Sequence, residues 1–144
     1  MKTARIPHKL VAPSRWDELP AGERYRLSLE QQLQPWLAKM YGFHLLKIGN
    51  MSAEINTEAC AISHQVSVSL SGSPQQVQAD PLRLPFAAKS VDACLLAHTL
   101  PWCHDPHALL READRVLIDD GWIVLSSFNP ISLAGLMKLV PVKR

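Results

Sequence analysis

Asp80-Pro81-Leu82-Arg83-Leu84-Pro85-Phe86, followed by Ser90-Val91-Asp92, then by Leu110-Arg111-Glu112-Ala113-Asp114-Arg115-Val116-Leu117 and Gly121, is the stretch that decides the fold. Val91 to Ala97 is an apolar run. Pro106 to Leu117 carries apolar residues at helical intervals, Gly121 ends that period, and Trp122 to Ser127 is a second apolar run. Two strands buried on both faces and joined by a helix make a parallel βαβ unit, with a right-handed crossover and helices on the faces of its sheet. Asp105 and Pro106 suit the N-cap and first position of the helix, because an Asp side chain satisfies an orphan amide and proline has none to lose.

Upstream, Phe43 to Ile48 is a short apolar run that Gly49 ends, which predicts a buried first strand with a sharp turn at its carboxyl end. Asn50 to Ser63 has room for one short helix. Gln65 to Leu70 alternates polar with apolar residues, a half-buried strand broken by Ser71-Gly72-Ser73-Pro74. A further strand at Val77 to Ala79 follows too closely for a helical crossover. A helix is expected from Ser28: Ser28 and Gln31 have capping-box spacing, and Leu29, Leu33, Trp36, Leu37 and Met40 follow at helical intervals. Pro35 would kink it and Gly42 would close it. Pro7, Pro13 and Pro20 make the start of the chain an arm laid over the domain, pinned by the ring of Trp16. Residues 1–144 therefore read as one domain, of which 1–25 form the N-terminal arm.

Composition narrows the function. At 47% hydrophobic and 19% charged the chain is neither disordered nor low in complexity. A net charge of +2 spread over scattered basic residues gives no concentrated face for phosphates, so no nucleic-acid partner is expected. No apolar run nears the eighteen or so residues that a bilayer span needs, and Lys2, Arg5 and Lys9 precede no apolar signal core. Cys60, Cys94 and Cys103, an odd count in or beside apolar runs, read as reduced thiols, so the expected setting is cytoplasmic, without membrane.

In order and spacing, the stretch from Asp80 to Gly121 resembles the run that class I S-adenosylmethionine-dependent methyltransferases of the small-molecule, type 11-like branch carry from their third to their fifth strand. Trp16 and Gly22 ahead of a helix, with Tyr41-Gly42 before a strand, resemble the N-terminal approach in one branch of that family. The resemblance implies an α/β, Rossmann-like methyltransferase core: a mostly parallel sheet with flanking helices, its C-terminal strands missing here. In the family a helix and an antiparallel pair follow the fifth strand. Pro130 to Leu139 can start a helix, but the chain stops at Arg144. Trp122 to Ser127 would then be an uncovered apolar edge, so a truncated domain, or a homodimer through that edge, is expected.

The resemblance also implies roles. Gly49 and Asn50 form the turn against the methionine part of S-adenosylmethionine. Ser71 stands near the ribose. Asp80 accepts from the adenine amino group, with Pro81 and Leu82 beside it. His98 and Thr99 line the pocket floor near the sulfonium, and His98 is the candidate general base. Three departures stand out. The turn has one glycine where the family has two or three, Leu70-Ser71-Gly72 lacks the family's ribose-binding acid, and Pro81 has no N–H to offer the adenine ring. Plainer roles compete: Asp80 as the cap of a turn, His98 as a core histidine, Glu112 and Arg115 as a local ion pair. Cys94, His98, Cys103, His104 and His107 match no zinc-ligand spacing, so no metal is expected. A Gly-x-Gly-x-x-Gly nicotinamide turn is absent. The expected function is S-adenosylmethionine-dependent methyl transfer to an unknown small-molecule acceptor. The alternative is a non-catalytic or truncated methyltransferase-like domain with weak or no cofactor binding, acting through self-association or a protein partner.

Overall fold

A computed structural model describes residues 15–70, 77–97, 103–128 and 137–143 of the chain. A single 3₁₀ turn at Trp16–Glu18 leads into helix α1, Gly22–Leu37. Strand β1 (His44–Ile48), the one-turn helix α2 (Asn50–Ala53), β2 (His64–Ser69) and β3 (Val77–Gln78) follow, then β4 (Val91–Ala97), α3 (Pro106–Val116), β5 (Leu117–Phe128) and β6 (Met137–Lys143). The strands form one sheet in the order β3-β2-β1-β4-β5-β6, with every pairing parallel except β5 with β6. This is the Rossmann-like arrangement of a mostly parallel sheet with flanking helices.

Alternation along the central strands divides the core into two layers. Leu45 of β1 with Ala93 and Leu95 of β4 face Trp16, Leu29, Leu33, Ile55 and Ile62. Leu46 and Ile48, with Cys94 and Leu96, face Leu109, Ala113 and Val116 of α3. Strand β4 is buried at every position but Asp92, which is why its sequence is a nearly unbroken apolar run. Asp92 instead links two strands, because its Oδ2 accepts from the amides of Phe43 and His44 at 2.8 and 2.9 Å and so ties the start of β1 to β4. Asp105 caps α3 through Oδ1, which accepts from the Ala108 amide at 3.1 Å, and Pro106 is the first helical residue.

Several expectations need correction. Helix α1 begins six residues before Ser28, inside the span assigned to the arm, and Ser28 sits mid-helix with its Oγ accepting from Gln32 Nε2 at 3.3 Å. Its N-cap is Ala21, left-handed at φ 54°, with no side-chain cap to announce it. Trp16 is fully buried, and residues 1–14 of the expected arm lie outside the described residues. Strand β3 is parallel to β2 although only residues 70–76 lie between them. Of the helix and antiparallel pair that the family carries beyond the fifth strand, expected to be missing here, the described residues hold one antiparallel strand. That strand corrects the uncovered edge: β6 pairs with β5 from Trp122 opposite Lys143 to Phe128 opposite Met137, so the premise for a homodimer through Trp122 to Ser127 is gone. The helix expected over Pro130 to Leu139 falls mainly outside the described residues, and its last three positions are strand.

Candidate functional site

Parallel pairing places the carboxyl ends of β1 to β4 on one edge of the sheet, the edge at which open α/β sheets take their ligands. The registers Ile48 with Val68, Val68 with Val77 and Lys47 with Leu95 bring Gly49, Leu70, the Ala79–Asp80 segment and Ala97 to that edge. Gly49 and Asp80 lie two strand spacings apart, about 10 Å across the sheet.

Gly49 has φ 94° and ψ 158°, a conformation that a side chain would penalise. Its N–H donates to the Val68 carbonyl at 2.7 Å and its carbonyl accepts from Ala53 at 3.1 Å, so the turn is held on both sides. Three further bonds lock α2 behind it. Trp16 Nε1 donates to the Met51 carbonyl at 2.8 Å, the Trp16 amide donates to Glu54 Oε1 at 2.8 Å, and the Ala97 amide at the end of β4 donates to Ser52 Oγ at 2.7 Å. Within this rigid turn Asn50 Oδ1 is buried, with no hydrogen-bond partner among the described residues. Leaving such an acceptor unanswered costs about 1–3 kcal/mol, which a ligand's donor would recover.

Across the edge, Asp80 Oδ1 accepts from the Leu82 amide at 2.9 Å and the Asp80 carbonyl accepts from Arg83 at 2.8 Å. Asp80 therefore does cap its own turn, through Oδ1. The Leu82 amide is consumed by the same bond and Pro81 has none, so neither residue has an amide left for a ligand here. The loop is braced from α3. Glu112 Oε2 accepts from the Leu84 amide at 2.6 Å, and Arg115 grips both Glu112 and the Leu84 carbonyl, at 2.7 and 3.0 Å. The Arg115 hydrogen bonds hold the Glu112 carboxyl below its ordinary pKa against the opposing effect of burial. Spacing along the sequence shows only the helical Glu112–Arg115 pair. Its long-range partner, Leu84, leaves no sequence signal.

Gly49, Asn50, Asp80, Pro81 and Leu82 are thus gathered at one edge, whereas Ser71, His98 and Thr99 lie outside the described residues. Cys94 faces the core of β4, fully buried, and burial drives its thiol pKa far up. Among the described residues no group of three His, Cys, Asp or Glu side chains gathers as a metal site. No helix of the described residues is long and apolar enough to cross a membrane.

The family model described as "Methyltransferase domain" matches residues 36–125. A curated Escherichia coli K12 protein, "Uncharacterized protein YafS", is 74% identical over 144 residues, and the chain spans 60% of that protein's length. Among solved structures, a SAM-dependent methyltransferase from Archaeoglobus fulgidus superposes with a TM-score of 0.60 at 19% identity, covering 78% of this chain and 58% of its own. The [4+2]-cyclase SpnF also superposes at 0.60, with 18% identity over 88% of this chain and 52% of its own. At such identities the likeness to these two structures is one of fold, and the cyclase shows that the fold hosts more than one chemistry.

Proposed function

Because the chain belongs to this methyltransferase domain family, we propose that it binds S-adenosylmethionine at the carboxyl edge of its sheet and directs the methyl group to a small-molecule acceptor in the cytoplasm. The observation that carries the reading is the convergence on that edge of a left-handed Gly49, a buried and unanswered Asn50 Oδ1, and an Asp80 carboxylate with one oxygen to spare. Gly49 lets the backbone approach the methionine part. Asn50 Oδ1 accepts a hydrogen bond from it, and Asp80 Oδ2 accepts from the adenine amino group. Bound there, the cofactor supplies an electrophilic methyl group. The chain's contribution is to hold the nucleophile in line and to keep water out. Ser71, after the second strand, is assigned to the ribose, and Thr99 to the pocket floor. His98, the residue after Ala97, is assigned as the base that takes the proton of the acceptor's nucleophile.

Two observations favour a second reading, a domain that binds cofactor weakly and does no chemistry. Neither Pro81 nor Leu82 has an amide to spare for adenine, and Leu70, where β2 ends, brings no acid to the ribose hydroxyls. The test is incubation of the protein with methyl-labelled S-adenosylmethionine and a deproteinised, nuclease-treated small-molecule extract. Label in a small molecule that His98→Gln reduces at least tenfold, with cofactor binding intact, supports catalysis. Cofactor binding with no labelled product from any extract supports the second reading.

A further inference from the structure

The middle of the cofactor edge has a chemistry of its own. Strand β2 lies between β1 and β3, so the residues that end it stand between the Gly49–Asn50 turn and Asp80. Three successive carbonyls there already accept from protein donors. The Val68 carbonyl takes the Gly49 amide at 2.7 Å, the Ser69 carbonyl takes the Ala79 amide at 3.0 Å, and the Leu70 carbonyl takes Gln78 Nε2 at 2.9 Å. The Ser69 side chain is buried. Among the described residues, what the end of β2 presents to a ligand is the Leu70 side chain, 61% exposed.

A single exposed leucine is ordinary on a protein surface, and it is the position of this one that matters. In an S-adenosyl ligand the ribose joins the sulfur to the adenine. With the methionine part at Gly49 and Asn50 and the adenine at Asp80, the sugar falls at the end of β2, beside Leu70. Each ribose hydroxyl is a donor that gains most from a charged acceptor, and a leucine side chain has no acceptor to give. A site that hydrogen-bonds a hydroxyl strongly rejects the analogue lacking it, whereas an apolar surface separates the two only weakly. The Ser71 hydroxyl assigned to the ribose is neutral, and exchanging water for a neutral partner brings little net gain.

We propose that Leu70 makes this site indifferent to the ribose hydroxyls, so that it takes S-adenosyl ligands carrying 2′-deoxyribose about as tightly as those carrying ribose. Leu70 is then a specificity-determining residue. Recognition is carried by the two ends of the ligand, and the sugar rests on an apolar surface between them. The inference rests on the cofactor reading of this edge.

The test is calorimetry of S-adenosylhomocysteine and its 2′-deoxy analogue into wild type and Leu70→Asp. In the wild type the two ligands should bind within about fivefold of each other. Leu70→Asp supplies a charged acceptor for the hydroxyls, and the deoxy analogue should then bind more than about fivefold weaker than its parent. The added charge beside Asp80 acts on both ligands alike, so the readout is the ratio of the two affinities. Leu70 is exposed, so the variant keeps its core, and a melting curve verifies this. A wild-type preference for the ribose form above about fivefold would overturn the inference and leave the cofactor reading standing. An unchanged ratio in Leu70→Asp would overturn the role given to Leu70. Binding of neither ligand by the wild type would overturn the cofactor reading and this inference with it.

Discussion

Replacing Glu112 probes how the adenine-side loop is held. In the native protein its carboxylate takes the Leu84 amide on one oxygen and Arg115 on both, and Arg115 closes the ring by donating to the Leu84 carbonyl. Glu112→Ala deletes a charge-assisted bond to a part-buried amide, about 1.5–3 kcal/mol. It also deletes an ion pair whose Arg115 partner is 40% exposed, which adds only about 0.2–1 kcal/mol. The expected loss at pH 7 is therefore about 2–4 kcal/mol. Glu112→Gln keeps an amide oxygen for Leu84 and should lose about half as much. Urea unfolding reads both as shifts of midpoint at constant slope. The Glu112 pKa is lowered on folding, so its contribution is complete above its unfolded pKa of about 4.3 and fades as pH falls through the lower, folded value. The gap between wild type and Glu112→Gln should accordingly close with acidification below about pH 4.3. If both variants match wild type to within about 0.5 kcal/mol at pH 7, or if the gap widens in acid, the brace does not work as described.

Three further outcomes follow from individual contacts. Trp16→Phe keeps the apolar ring but leaves the Met51 carbonyl without its donor, so a loss of about 1–3 kcal/mol is expected in urea unfolding, with S-adenosylmethionine affinity falling as α2 loosens. Gly42→Ala drives a Cβ into the Asp92 carboxylate at a φ of +138°, and should lower the melting temperature by well over 5 °C, since about 1 kcal/mol alone moves a domain of this size by several degrees. Lys47 is buried in β1 with Nζ donating to the Ile55 carbonyl at 2.9 Å, and desolvation lowers its pKa despite Glu30 nearby. Stability of the wild type should therefore rise, relative to Lys47→Met, as pH climbs from the folded pKa toward about 10.4, as urea unfolding across alkaline pH would show.

What the sequence made legible was set by which contacts are local. Strand β4 matches its expected bounds, Val91 to Ala97, because burial on both faces leaves a long apolar run. Helix α3 is announced by the Asp105-Pro106 cap, which works through atoms three residues apart. The start of α1 was hidden because Ala21 caps it through backbone conformation alone, while Ser28 and Gln31 imitate a capping box in mid-helix. Strand β6 was missed because Pro130 to Leu139 reads as the start of a helix; its Pro141 is tolerated at the sheet edge, where an N–H can go unused. On the candidate site, Gly49 was expected at the end of a strand, and the roles of Gly49, Asn50 and Asp80 came from the family resemblance. The Leu84–Glu112 contact spans 28 residues and the His44–His64 contact spans 20, and both exist only through tertiary packing, which no local pattern encodes.

The central claim is that Gly49, Asn50 and Asp80 form a working S-adenosylmethionine site, and titration calorimetry of S-adenosylmethionine and S-adenosylhomocysteine into wild type and Asp80→Ala tests it most directly. Micromolar binding that Asp80→Ala weakens about tenfold, equivalent to about 1.4 kcal/mol, is the expected result. No binding by the wild type, or equal binding by the variant, would contradict the assignment of this edge as the cofactor site.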